Sequence, residues 1–131
     1  MENQQTVTLA YWDIRGLSER CRLLLEYCGV PYTQEFYSGP EDRVRMRNEV
    51  MPKLIEKNAA ITLPYLLDGD KVISESDGIC VYICFRGNKP ELTGRNPEEK
   101  VMLATVHGVY KDYYREYGKL MYGSYNEENT F

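Results

Sequence analysis

Histidine and tryptophan are each used once, as His107 and Trp12. A lone imidazole cannot build the histidine-rich ligand sets of zinc centres. The four cysteines, Cys21, Cys28, Cys80 and Cys84, contain no C-x-x-C pair. Cys80 and Cys84 are four apart, on one helical face, a spacing that suits either a metal or two small core residues. With no second cysteine cluster, the core reading in a reducing compartment is preferred and no metal is expected. Basic residues are not in excess: 16 stand against 20 acidic ones, for a net charge of −4. Nothing in that balance draws the chain to nucleic acid or to an anionic membrane. No apolar run approaches a membrane span, and the first residues lack the basic and apolar regions of a secretory leader. These absences predict a cytoplasmic protein with no membrane span and no nucleic-acid partner.

What is present is ordinary globular composition, 43% hydrophobic and 27% charged over 131 residues, enough for one domain and an appendage. Thr6 to Tyr11 alternates β-branched and apolar residues and reads as a strand. Leu17, Cys21, Leu24, Leu25 and Cys28 then repeat at helical spacing until Gly29, a left-handed stop followed by Pro31. Tyr32 to Phe36 reads as a second strand, so the first three elements form a βαβ unit with parallel strands. Glu41 to Lys57 has helical propensity, but Pro52 interrupts it, and residues 38–63 are expected to be irregular. Pro64 to Asp68 and Lys71 to Ser74 flank an Asp-Gly-Asp turn and predict an antiparallel hairpin. Ser76 or Asp77 can cap a helix running to about Arg86.

Residues 88–95 are turn-rich and read as a linker. Asn96-Pro-Glu-Glu announces a long helix to about Gly118, with a cap, a first-turn proline and acids at the positive dipole end. The tail turns polar at Asn126. The predicted fold is α/β: a thioredoxin-like βαβ-(α)-ββα domain over residues 5–87 with a mixed four-stranded sheet. The linker and one long helix, within residues 96–131, follow it.

The stretch Ala10-Tyr-Trp-Asp-Ile-Arg-Gly-Leu17, followed by Arg22-Leu-Leu-Leu-Glu-Tyr27, resembles the start of mu-class glutathione transferases. Leu63-Pro-Tyr-Leu-Leu-Asp-Gly69 is similar to that family's cis-proline segment, and Glu75-Ser-Asp-Gly-Ile79 to its acid-plus-serine motif. Gly94 to Asp112 resembles the linker and first helix of the family's second, all-α domain. The resemblance implies a chain truncated after that helix. It also implies glutathione as substrate, small electrophiles as its targets, and Tyr11 as the catalytic group that stabilises the thiolate. Trp12, Leu17, Leu63, Pro64, Glu75 and Ser76 are implied as glutathione contacts, with Pro64 in the cis form. Arg43 and Lys53 are implied at the glycyl carboxylate, and Asp112 is implied to reach the neighbouring subunit's γ-glutamyl group. The sequence departs from the mu pattern in carrying Glu75 for glutamine, Met46 for tryptophan, and Ala60 where an aromatic residue keys the dimer.

The chemistry suits those positions. Strand ends at a turn into a helix are where α/β sheets place ligands. A phenol there can donate a hydrogen bond to sulfur and favour the thiolate, which is the nucleophile. Ser18, a candidate serine-type activator, reads better as part of the first helical turn. Ser76, at a helix start, can offer its hydroxyl and nearby N–H groups to a carboxylate. The favoured function is a glutathione transferase; the alternative is a non-catalytic, transferase-like subunit of a larger assembly. A thiol-disulfide oxidoreductase is set aside, because Trp12-Asp-Ile-Arg15 supplies no cysteine at the first strand-to-helix turn. In the last helix Met102, Val106, Val109, Tyr113, Tyr117 and Leu120 form one apolar stripe. Leu103, Tyr110, Tyr114 and Met121 form a second beside it. That width over residues 97–122 predicts a homo-oligomer or a place in a protein complex.

Overall fold

In a computed structural model, which describes residues 5–123, the chain divides into two units that part between Pro90 and Glu91. The first unit opens with β1 (Val7–Trp12), a 3₁₀ turn at Gly16–Ser18, α1 (Glu19–Cys28) and β2 (Tyr32–Tyr37). The first helix therefore enters through a tight turn instead of starting at Leu17. It stops where expected, at Gly29 with φ +66°, a conformation that costs glycine little. β3 (Tyr65–Asp68) and β4 (Lys71–Ser74) follow, joined through Gly69, and α4 (Ser76–Arg86) closes the unit. The sheet order is β2-β1-β3-β4. β1 and β2 run parallel, whereas β3 pairs antiparallel with both β1 and β4. This is the mixed four-stranded sheet that the sequence predicts.

Side chains alternate across β1 and sort the core into two layers. Val7 and Leu9 pack with Cys21, Leu25 and Cys28 of α1, with Leu66, and with Ile79 and Ile83 of α4. Ala10, on the opposite face, packs with Tyr37 and Tyr65, against which lie Met46, Val50, Met51 and Leu54.

Those last residues correct the expectation of irregular structure over 38–63. The chain is helical through α2 (Gly39–Arg45), a π segment at Met46–Val50 and α3 (Met51–Leu54). A prolyl ring lacks an N–H and collides with the carbonyl four residues back, which for Pro52 is that of Asn48. The widened π turn falls at that carbonyl. Pro52 then occupies the first turn of α3, where no N–H is needed. Residues 55–63 do lack regular structure.

The cap of α4 is also corrected. Glu75, with φ +64°, is its N-cap, and the Glu75 side chain makes no capping hydrogen bond. Ser76 is already the first helical residue, so its hydroxyl serves another partner.

After a 3₁₀ turn at Pro90–Thr93, the second unit is α5 (Pro97–Met121). The Asn96 side chain accepts from the Glu99 N–H at 2.9 Å. The Glu99 carboxylate accepts in return from the Arg95 N–H at 2.8 Å. None of the described residues of α5 is buried. The tyrosines of the two stripes pair along the helix, with ring centroids 5.8 Å apart for Tyr110–Tyr114 and 6.3 Å for Tyr113–Tyr117. The polar tail expected from Asn126 lies outside the described residues. Among those residues no helix is long and apolar enough to cross a membrane.

Candidate functional site

Tyr11 is the last residue but one of β1 and is only 7% exposed. By alternation it falls on the α1 side of the sheet. The chain then turns through Asp13–Arg15 into the 3₁₀ turn, and this turn wraps the phenol. A Cβ added to Gly16 would stand 2.8 Å from Tyr11 Cε1 and 2.9 Å from its Oη. The phenol oxygen accepts a hydrogen bond from the Leu17 N–H at 3.4 Å. A hydroxyl that accepts one hydrogen bond becomes a better donor in another, because the two polarise each other. Ser18, by contrast, is fully buried and donates to the Arg15 carbonyl, so its hydroxyl is committed to the turn.

Trp12, next along the strand, falls on the opposite face. Its ring meets Tyr37 edge-on at 6.2 Å, and the Arg43 guanidinium of α2 lies over it at 5.4 Å. The end of β1 thus presents a phenol on one side of the sheet and a tryptophan with a cation on the other. Beneath Trp12 the hydroxyls of Tyr37 and Tyr65 are 2.6 Å apart. Burial pushes both phenols above their usual range, so they remain protonated.

Two further segments converge on this end. Ala10 pairs with Tyr65 in the β1–β3 register, so continuing that register sets Tyr11 opposite Pro64. The Leu63–Pro64 peptide is cis. Pro64 is buried, while Leu63 packs against the Tyr37–Tyr65 layer. β4 ends at Ser74, paired with Tyr65, so Glu75 and Ser76 emerge beside the same strand end. Glu75 is exposed, and Ser76 is 6% exposed.

Ser76 is held by a residue that the sequence reading did not single out. Arg20, from the first turn of α1, donates to the Ser76 hydroxyl and to the Asp77 carboxylate. This places a cation at the N-terminus of α4, where the helix dipole already favours anions. The sequence signal was slight: a positive residue one turn after the Tyr11 loop, and an acid directly after Ser76.

The remaining candidates are more dispersed. Lys53 is exposed on α3. Asp112 lies on α5 in the second unit, where it accepts from Arg115 at 3.0 Å. The structure therefore gathers Tyr11, Leu17, Leu63, Pro64, Glu75 and Ser76 at one strand end. Trp12 and Arg43 stand on the other face of that end. Among the described residues no group of three or more histidine, cysteine or acidic side chains is arranged to hold a metal.

The family model described as "Glutathione S-transferase, N-terminal domain" matches residues 7–84. Among curated proteins, human "Glutathione S-transferase Mu 3" is 31% identical over 98% of this chain and 56% of its own length. Human "Glutathione S-transferase Mu 5" is 36% identical over 88% of this chain and 52% of its own. Among solved structures, the glutathione S-transferase from Ascaris lumbricoides superposes with a TM-score of 0.64 at 26% identity. That match covers 92% of this chain and 55% of the other. A Caenorhabditis elegans glutathione S-transferase gives the same score and identity, with 95% and 56% covered. The chain spans about half the length of the curated relatives it matches.

Proposed function

The chain belongs to the glutathione S-transferase family, and we propose that it binds glutathione at the carboxyl end of β1 and activates its thiol for attack on small electrophiles. The observation that carries this reading is the setting of Tyr11. Its oxygen is fixed by the Leu17 N–H, and its ring is confined by Gly16. Its O–H is the catalytic donor to the glutathione sulfur, favouring thiolate over thiol. The thiolate then attacks the electrophile, with no protein-bound intermediate.

The rest of the site holds the tripeptide. The Ser76 hydroxyl and the N–H groups opening α4 receive the γ-glutamyl carboxylate, and Glu75 accepts from the adjacent ammonium. Leu63 offers its backbone to the cysteinyl portion, preceding Pro64. Trp12, Arg43 and Lys53 stand for the glycyl carboxylate, with the Arg43–Trp12 stack keeping that guanidinium over the sheet edge. Residues 5–87 are the glutathione-binding domain, 88–95 the linker, and residues from 96 onward the start of a helical domain. The protein works in the cytoplasm as an oligomer, through the 97–122 helix, with Asp112 serving a neighbouring subunit.

The test is titration of the purified chain with glutathione, followed by ultraviolet absorbance of the bound thiolate at neutral pH. Tyr11→Phe should keep binding and lose most of the thiolate signal. An equal thiolate fraction in both proteins would remove Tyr11 from the chemistry.

A further inference from the structure

Cys21 and Cys80 come from different helices, yet their sulfurs stand 3.8 Å apart. Both are free thiols. Cys21 lies in α1 and is fully buried, its sulfur also reaching the Ser76 carbonyl at 3.8 Å. Cys80 lies one turn into α4 and is half-buried, so it is the member that a small reagent meets. Arg20 precedes Cys21 in the chain and bridges to Ser76 and Asp77 at the start of α4. A guanidinium therefore sits beside the pair, the kind of electropositive surrounding that makes a thiol reactive. Cys28 and Cys84 are buried as well.

We propose that Cys21 and Cys80 form a reversible redox pair that closes into a disulfide between α1 and α4 by exchange with low-molecular-weight disulfides. In the first step the Cys80 thiolate attacks one sulfur of the small disulfide. The S–S bond of the reagent breaks, one small thiolate leaves, and Cys80 carries a mixed disulfide. In the second step Cys21 attacks the Cys80 sulfur, its proton passing to the departing small thiolate. The mixed disulfide breaks, the second small thiolate leaves, and the Cys21–Cys80 bond forms. The two protein thiols are oxidised and the reagent is reduced to two thiols.

The order follows from access and charge. The hydrogen bond shared with Cys21 and the neighbouring Arg20 hold Cys80 below the usual thiol range. Cys21 is pushed up by that contact and by burial. Cys80 is thus the attacking sulfur and Cys21 the resolving one. A resolving thiol needs no solvent access, since its target is delivered to within 3.8 Å. The link forms beside Ser76, so the oxidation state of the pair is written next to the proposed γ-glutamyl anchor.

The test uses the full chain and bis(2-hydroxyethyl) disulfide, a reagent without the glutathione skeleton, so its outcome is independent of glutathione binding. After exposure the protein is quenched in acid, alkylated, digested without reductant and mapped by mass spectrometry. The expected product is a Cys21–Cys80 linked peptide, two hydrogens lighter than the reduced pair. It should disappear with dithiothreitol, while Cys28 and Cys84 remain alkylated. Cys21→Ser should instead accumulate the mixed disulfide on Cys80. The proposal is overturned if Cys80 in the wild type remains fully alkylatable. It is equally overturned if its mixed disulfide persists with Cys21 free, or if the link joins other cysteines.

Discussion

Replacing Gly16 by alanine tests the geometry that confines the Tyr11 phenol. Two effects combine there, and a second glycine separates them. Gly16 has φ +43° and Gly29 has φ +66°, so an alanine in either place suffers left-handed strain of about 1 kcal/mol. At Gly29 nothing lies within 4 Å of the added methyl, and the strain is the whole cost. At Gly16 the methyl would stand 2.8 Å from Tyr11 Cε1. The ring cannot simply retreat, because Tyr11 is 7% exposed and packed within the strand end. Overpacking of this kind costs about 1–3 kcal/mol. Gly16→Ala should therefore lose about 2–4 kcal/mol in total, the sum of strain and overpacking, against about 1 for Gly29→Ala. Urea unfolding followed by circular dichroism measures both. The displaced phenol should also lose its Leu17 hydrogen bond and part of the thiolate absorbance of bound glutathione. If the two alanine variants were equally destabilised and the thiolate signal were unchanged in Gly16→Ala, the reasoning would be refuted.

Ser76→Ala should weaken binding of both glutathione and S-methylglutathione by about 1–3 kcal/mol, the cost of removing a partner from a charged acceptor. Calorimetric affinities unchanged for both ligands would leave that hydroxyl a partner of Arg20 alone. Asp68 accepts from the Tyr82 hydroxyl and from Arg86 Nε, each at 2.8 Å. Burial disfavours its charge, but these bonds prevail and hold the carboxyl below its usual range. Its contribution is therefore present above the unfolded carboxylate pKa, about 3.9, and is lost as pH falls through the lower folded value. Unfolding free energy should decline with acid over that window, and Arg86→Ala should flatten the decline while costing about 1–3 kcal/mol at neutral pH. An identical acid profile in the variant would exclude Asp68 as its source.

The elements with strong periodicity or strong punctuation were legible. Gly29, the Asp68–Lys71 turn and the Asn96 cap each fix a boundary through a local physical requirement, and the sheet follows from the order of strands around them. The helical run over 39–54 was not legible, since Pro52 breaks an α-helix but not one with a widened turn before it. Whether a chain takes that route depends on packing: Met46, Val50, Met51 and Leu54 cover the Tyr37–Tyr65 layer. Of the candidate site, Tyr11 and Ser76 were proposed through resemblance and through their places at element ends. Arg20 and the Cys21–Cys80 pair were not, because each arises where α1 meets α4, across some 55–60 residues of chain. Spacing within one helix carries no information about which face meets which partner.

The π segment at Met46–Val50 has a consequence for where charge is presented. A π turn closes its hydrogen bonds one residue late, so it amounts to an α-helix with a single residue spliced in. One residue is worth about 100° around a helix axis. Side chains after Val50 are therefore clocked by a little over a quarter-turn from the directions an unbroken helix would give them. Arg43 precedes the splice and Lys53 follows it. The angle between the two cations is thus set by one backbone irregularity, with no change in either residue. Removing a residue from this segment would swing Lys53 to a new bearing while leaving Arg43 over Trp12. A change of length within 46–50 would therefore act as a rotary adjustment of the bearing of Lys53 relative to Arg43.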